Sequence, residues 1–191
     1  MSHETELTLS DYDLIKRIAL NDHSALDVLV NRYQNHVYRF LVSLTGNETL
    51  AEEALQETFI ALWRSAQSFQ GTGSVRAWIF QIARNAISRQ YRLRKDEPHD
   101  FVSLDELGQQ AGWGQEPMQD NMDDLKEKRE LLEVAMNALA PEDREILILR
   151  DLNGLTGDET AELLQMSLQA VKSRLHRARL RLMKHMREVQ S

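Results

Sequence analysis

Residues 155–183 read LTGDETAELLQMSLQAVKSRLHRARLRLM, and their spacing predicts two helices joined by a tight turn. Thr156 and Glu159 form a capping-box pattern, in which each side chain satisfies an orphan N–H of the first helical turn. A short helix to about Gln165 follows, then Met166-Ser167 as the turn, with Ser167 placed to cap the second helix. In that helix Val171, Leu175, Ala178, Leu182 and Met186 recur at three- and four-residue steps and predict its buried stripe. Lys172, Arg174, Arg177, Arg179, Arg181, Lys184 and Arg187 occur there with no acid between them. Two capped helices, a short turn and a basic second helix predict a helix-turn-helix over residues 157–178. Such a unit sets its second helix in the DNA major groove, N-terminal side chains toward the base edges. Gln169, Lys172, Ser173 and Arg174 are the candidates, with His176 and Arg177 further along. Gln can pair with adenine and Arg with guanine, while later Arg and Lys side chains neutralise phosphates. A solvated basic face on a helical bundle is the bland alternative, and the two caps favour the motif over it.

A second sorted stretch lies upstream. Residues 73–95, GSVRAWIFQIARNAISRQYRLRK, carry six bases and no acid in a chain whose formal net charge is -7. Val75, Trp78, Ile79, Ile82 and Ala86 line one side of the predicted helix; Arg76, Arg84, Asn85, Ser88, Arg89 and Arg92 mostly occupy the others. An apolar stripe inward and a basic stripe outward suit a helix lying on a polyanion. Between the two basic helices, residues 96–124 are acidic and interrupted by Pro98, Gly108, Gly112, Gly114 and Pro117, which predicts a flexible linker.

Ahead of the first basic helix the pattern is helical throughout. Ser10 is placed to cap DYDLIKRIAL, and Asn21-Asp22 mark a stop and restart. Leu26, Leu29, Val30, Tyr33, Val37, Phe40, Leu41 and Leu44 then predict a long amphipathic helix. Thr49 and Glu52 make another capping-box pattern, for a helix expected to bury Leu55, Phe59, Leu62 and Trp63. Beyond the linker, helices are expected at about Met122–Leu139 and Pro141–Asp151, the latter ended by Gly154. The expected fold class is all-α: a helical domain over 1–95, an acidic linker over 96–124, and a helix-turn-helix domain over 125–191.

Composition excludes several classes of function. The chain has no cysteine, which rules out disulfides and thiol catalysis and fits a cytoplasmic location. No apolar run reaches the ~20 residues needed to span a bilayer, so direct membrane insertion is not expected. There is no HExxH, GxSxG or phosphate-cradling glycine loop, and the histidines show no paired ligand spacing. The chain is therefore expected to be no enzyme, and to need no cofactor and no metal.

The motifs together resemble a family. LTGDETAELLQMSLQAVKSRLHRARLRLM is similar to the −35-binding domain of bacterial RNA polymerase sigma factors of the extracytoplasmic-function type. AEEALQETFIALWRSAQSF resembles that family's polymerase-binding helix, GSVRAWIFQIARNAISRQYR its −10-element helix, and residues 10–47 its first region. The resemblance covers nearly the whole chain outside the linker and the extreme termini, with the motifs in the family's order.

It implies a transcription initiation subunit with no chemistry of its own, whose partners are core RNA polymerase (beta-prime and beta subunits) and promoter DNA. An anti-sigma factor, often membrane-anchored in the family, is a further implied partner. The resemblance gives Glu53, Gln56, Glu57 and Phe59 the docking role on beta-prime. By helical register alone Phe59 belongs to the core, and Glu53 and Glu57 are an acidic pair facing solvent. Around the −10 helix, a base-capture pocket is implied near Ser68–Ser74 and Asn85, with Phe69 a stacking candidate and Trp78 in the core by register. The linker is either a solubilising tether or, as the family suggests, a strand threading the polymerase's RNA path. A stand-alone DNA-binding regulator leaves the Glu53–Phe59 pattern idle. A decoy for an anti-sigma factor does not need the bases retained in both DNA helices. Three residues depart from the family's pattern: Gln165 stands where glycine is common, Val75 where a larger side chain is usual, and Gln169 where a small one is. The first implies a left-handed cap carrying mild strain, and the last a changed −35 preference.

Overall fold

The computed structural model describes residues 9–93 and 122–189. Among the described residues every regular element is helical: α1 (Asp11–Ala19), α2 (His23–Thr45), α3 (Glu48–Ser65), α4 (Val75–Leu93), α5 (Met122–Asn137), α6 (Pro141–Leu147), α7 (Gly157–Leu164) and α8 (Leu168–Val189). A 3₁₀ turn (Ala66–Ser68) follows α3, and a π turn (Ile148–Leu152) follows α6. The chain divides into two compact units, Met1–Leu41 with Thr49–Pro98, and Val42–Glu48 with His99–Ser191. Most of the expected linker, and with it Arg94 and Lys95, lies outside the described residues.

In the first unit, α1 starts where Ser10 Oγ accepts the Asp13 N–H at 3.2 Å, as expected for a serine cap. Asn21 takes a left-handed conformation with φ 63°, which asparagine tolerates, and the chain restarts at once. Asp22 Oδ1 accepts the Ser24 and Ala25 N–H groups and so caps α2, while Arg17 Nε holds its other oxygen at 2.7 Å. Hydrogen bonding from Ser24, and then from Arg17, lowers the Asp22 pKa to about 2. Leu14, Ile15 and Ile18 of α1, Leu29, Val37 and Phe40 of α2, and Ile79, Phe80, Ala83 and Ala86 of α4 form the core. Phe40 and Phe80 are both fully buried, with ring centroids 5.0 Å apart. Emptying either site to alanine would cost about 3–5 kcal/mol.

Three sequence readings shift here. Helix α3 begins at Glu48, so Thr49 lies inside its first turn rather than at its cap. Its buried face is Ala51, Ala54, Thr58 and Leu62, not Leu55, Phe59 and Trp63, which are half-buried along one edge. Small side chains let α3 approach closely, and the Thr58 hydroxyl stays satisfied by donating to the Ala54 carbonyl at 2.6 Å. In α4, Trp78 and Ile82 are likewise half-buried, while Ala77, Phe80, Ala83 and Ile87 take core places.

In the second unit α8 packs against α5, α6 and α7. Pro141 opens α6, where its missing N–H is no loss. Arg144 donates to the Met136 and Asn137 carbonyls at 3.0 and 2.9 Å, closing the C-terminus of α5. The expected helix to Asp151 instead widens into the π turn, whose Ile148 carbonyl accepts the Asn153 side-chain amide at 2.8 Å. Val171, Leu175 and Ala178 of α8 are buried, as are Leu163, Ile146 and Leu149 of the same unit. Leu182 and Met186, expected in that stripe, are only half-buried.

Candidate functional site

The helix-turn-helix is built as its caps require. Thr156 Oγ1 accepts the Glu159 N–H at 3.2 Å, and Glu159 Oε2 accepts the Thr156 N–H at 2.7 Å. At the other end of α7, Gln165 is left-handed with φ 53° and ψ 45°, and the Met166 N–H returns to the Ala161 carbonyl at 2.9 Å. Ser167 then caps α8 through the Ala170 N–H at 3.2 Å. A Cβ on Gly157 would stand 2.7 Å from Leu168 Cδ1, the tip of a flexible side chain that would turn aside to admit it.

With Val171, Leu175 and Ala178 turned inward, Gln169, Lys172, His176 and Arg177 are exposed, and Ser173 and Arg174 are half-buried. Gln169, Lys172, Ser173 and His176 follow three- and four-residue steps and therefore share the outer face. Arg179 and Arg181 have a different role. Arg179 Nε donates to Asp151 at 3.0 Å, and Arg181 pairs with Asp143, whose side chain is almost wholly covered. Those two arginines bracket the buried stripe and tie α8 to its own unit. The continuous basic run in the sequence thus divides into an exposed N-terminal part and a structural part.

In the first unit the basic candidates of α4 divide too. Asn85, Ser88, Arg89 and Arg92 are exposed, and Arg84 is half-buried. Arg76 lies apart from them, with its guanidinium 5.9 Å from the centroid of the core ring Phe80. His36 on α2 has its pKa lowered by burial, then by Arg39 and Arg76, so the Arg76 charge is felt toward α2 rather than along the outer stripe. The Ser88 hydroxyl donates to the Arg84 carbonyl at 2.8 Å and would have to turn to meet a phosphate. Gln81 donates to Asn85 Oδ1 at 3.2 Å, a bond that engages the acceptor end of the exposed Asn85 amide. Beside the loop at residues 70–74, Phe69 packs between Trp78 (4.8 Å between centroids) and Tyr12 (6.3 Å). Trp78 is therefore part of an aromatic cluster at the loop. Gly71 belongs to the same cluster: it has φ +71°, and a Cβ there would lie 2.5 Å from the Tyr12 hydroxyl.

On α3, Glu53 and Gln56 are exposed opposite the Ala51–Leu62 core face. Ile60 stands in line with them and is 51% exposed, which the sequence reading missed. Its signal was available: an apolar side chain seven residues from Glu53 falls opposite a buried stripe of small residues. Phe59 and Trp63 flank one side, Trp63 stacking on His23 at 4.5 Å. Glu57 flanks the other and forms an ion pair with Arg89 of α4, so it is not simply a solvated acid. Among the described residues no cluster of His, Cys, Asp or Glu could hold a metal ion, and no helix is long and apolar enough to cross a membrane.

A family model described as Sigma-70 region 2 matches residues 29–97, and one described as Sigma-70, region 4 matches residues 129–182. The ECF RNA polymerase sigma factor SigM of Bacillus subtilis (strain 168) is 36% identical over 157 residues, covering 82% of this chain and 92% of that protein. The ECF RNA polymerase sigma factor SigE of Mycolicibacterium smegmatis is 32% identical over 173 residues, 84% of this chain, which spans 62% of that protein's length. The sigma factor RpoE in complex with the anti-sigma factor NepR, from Bartonella quintana, matches with a TM-score of 0.62 and 25% identity, covering 83% of this chain and 94% of that one. Both sigma modules are present in order, and the chain belongs to the ECF family of RNA polymerase sigma factors, transcription initiation factors that direct the polymerase to promoters.

Proposed function

We propose that this chain docks on core polymerase through the outer face of α3 and carries it to promoters read by α4 and α8. Glu53, Gln56 and Ile60, flanked by Glu57 and Phe59, would meet the beta-prime subunit, with exposed acids facing a basic partner. Arg84, Asn85, Ser88, Arg89 and Arg92 would follow the −10 strand. The Phe69–Trp78–Tyr12 cluster beside Gly71 would border the pocket for an extruded base, and Arg76 would act from its α2 side. Gln169, Lys172, Ser173 and His176 would face the −35 major groove, with Arg174 and Arg177 on the phosphates beside it. The observation that carries this reading is the exposure of Gln169, Lys172 and His176 directly opposite the buried stripe of α8. A role in initiation needs binding energy only, and we assign the chain no catalytic group, cofactor or metal.

The relative solved with an anti-sigma factor supports a similar regulator here. We place the chain in the cytoplasm, where its polymerase would be, and assign any membrane anchor to that regulator. Reconstitution tests the reading: the chain should co-elute with sigma-free core polymerase and protect both elements of a promoter fragment. A folded chain that neither co-elutes nor adds protection would refute it.

A further inference from the structure

Glu57 and Arg89 lie thirty-two residues apart in sequence yet form a direct ion pair across α3 and α4 within the first unit. Given the functional reading above, this pair joins two faces meant for different macromolecules. Glu57 borders the docking face of α3, and Arg89 stands among the exposed polar side chains of α4. Each side chain keeps access to solvent, at 28% for Glu57 and 54% for Arg89, so either could exchange its partner without unpacking the core. We propose that the pair is a latch: in the unbound protein the Glu57 carboxylate holds the guanidinium that would otherwise meet a DNA phosphate. A basic group of the polymerase that takes Glu57 would release Arg89 to the DNA.

The physics is competition for one charge. A guanidinium neutralised by a carboxylate attracts a phosphate less and displaces fewer counterions from it. An exposed pair of this kind is weak enough to be exchanged, and breaking it changes an equilibrium by roughly two- to fivefold. Linkage makes the effect reciprocal, so whatever takes one partner favours capture of the other. A pair that merely ties α3 to α4 would behave differently. Deleting either side chain would then leave the other macromolecule's affinity unchanged or lower it.

The test uses the full chain with Glu57→Gln, Arg89→Gln and the double substitution. Binding to a short mixed-sequence single-stranded DNA bearing a fluorophore is followed by anisotropy between about 50 and 200 mM salt. Glu57→Gln should bind roughly two- to fivefold tighter than wild type, with a salt slope steeper by about 0.7. That gain should vanish in the double variant. Conversely, Arg89→Gln should bind sigma-free core polymerase tighter by a similar factor, because Glu57 is no longer held. Equal DNA binding by wild type and Glu57→Gln, no binding by either included, overturns the latch. So does a gain that survives in the double variant, or an unchanged or weakened hold of Arg89→Gln on core. If no variant binds core at all, the docking assignment fails, while the DNA measurement still judges the carboxylate's hold on Arg89.

Discussion

Replacing Gln165 with glycine should stabilise the helix-turn-helix. Gln165 is exposed and sits at φ 53°, ψ 45°, a left-handed backbone that crowds an L-residue's Cβ against the next carbonyl. That crowding costs about 1–2 kcal/mol, and glycine escapes it. Glycine is also more disordered when unfolded, which takes back about 0.5–1 kcal/mol. The net gain is about 0.5–1 kcal/mol, since the exposed side chain contributes no core packing. For a domain of this size that is a rise of roughly 2–8 °C in its melting temperature. Gln165→Ala is the control, because it removes the same side chain and keeps the strain. Thermal unfolding followed by circular dichroism, with hydrogen exchange on peptides from α7 and α8, separates this unit from the rest. A glycine variant no more stable than the alanine variant would refute the claim that the cap is strained.

Ile60→Ser should weaken binding to core polymerase about five- to tenfold without lowering the melting temperature, because Ile60 is exposed opposite the α3 core. Paired titrations with core and thermal scans would check both halves. Gln169→Ala should relax the choice of base at one −35 position by about 1–3 kcal/mol, whereas Arg177→Ala should weaken all sequences alike and flatten the salt slope by about one. Competition binding across a −35 library distinguishes the two. Asp22 has its pKa lowered to about 2 by Ser24 and Arg17, so its stabilising effect is complete above its ordinary value near 4 and is lost as pH falls through 2. Asp22→Asn should therefore flatten the acid limb of a stability-against-pH curve in that window.

How much of this was legible in the sequence varies by element. The caps carried their own chemistry: Ser10 and the Thr156–Glu159 box lie where local hydrogen bonding puts them. Thr49 carried the same signal and misled, because the helix was already running from Glu48. Registers set by large apolar residues held for most of α2, where Leu29, Tyr33, Val37, Phe40 and Leu41 are all buried. They failed in α3, where Ala51, Ala54 and Thr58 do the packing and Phe59 and Trp63 are pushed to an edge. Spacing gives a helix face but not which side chains a neighbour is close enough to cover. The same gap hid Ile60, placed Arg76 with the outer basic stripe, and left Leu182 and Met186 in a stripe they only half share. Pairings between distant residues, such as Glu57 with Arg89 and Asp143 with Arg181, leave no mark in local spacing at all.

The central claim is that this chain gives core polymerase its choice of promoter. The most direct measurement is run-off transcription from genomic DNA with sigma-free core and the purified chain, with transcript 5′ ends mapped. The account predicts discrete starts, each preceded by shared −10 and −35 elements, that disappear when the chain is omitted. Transcription no greater or more focused than core alone, with the chain folded and present in excess, would contradict it.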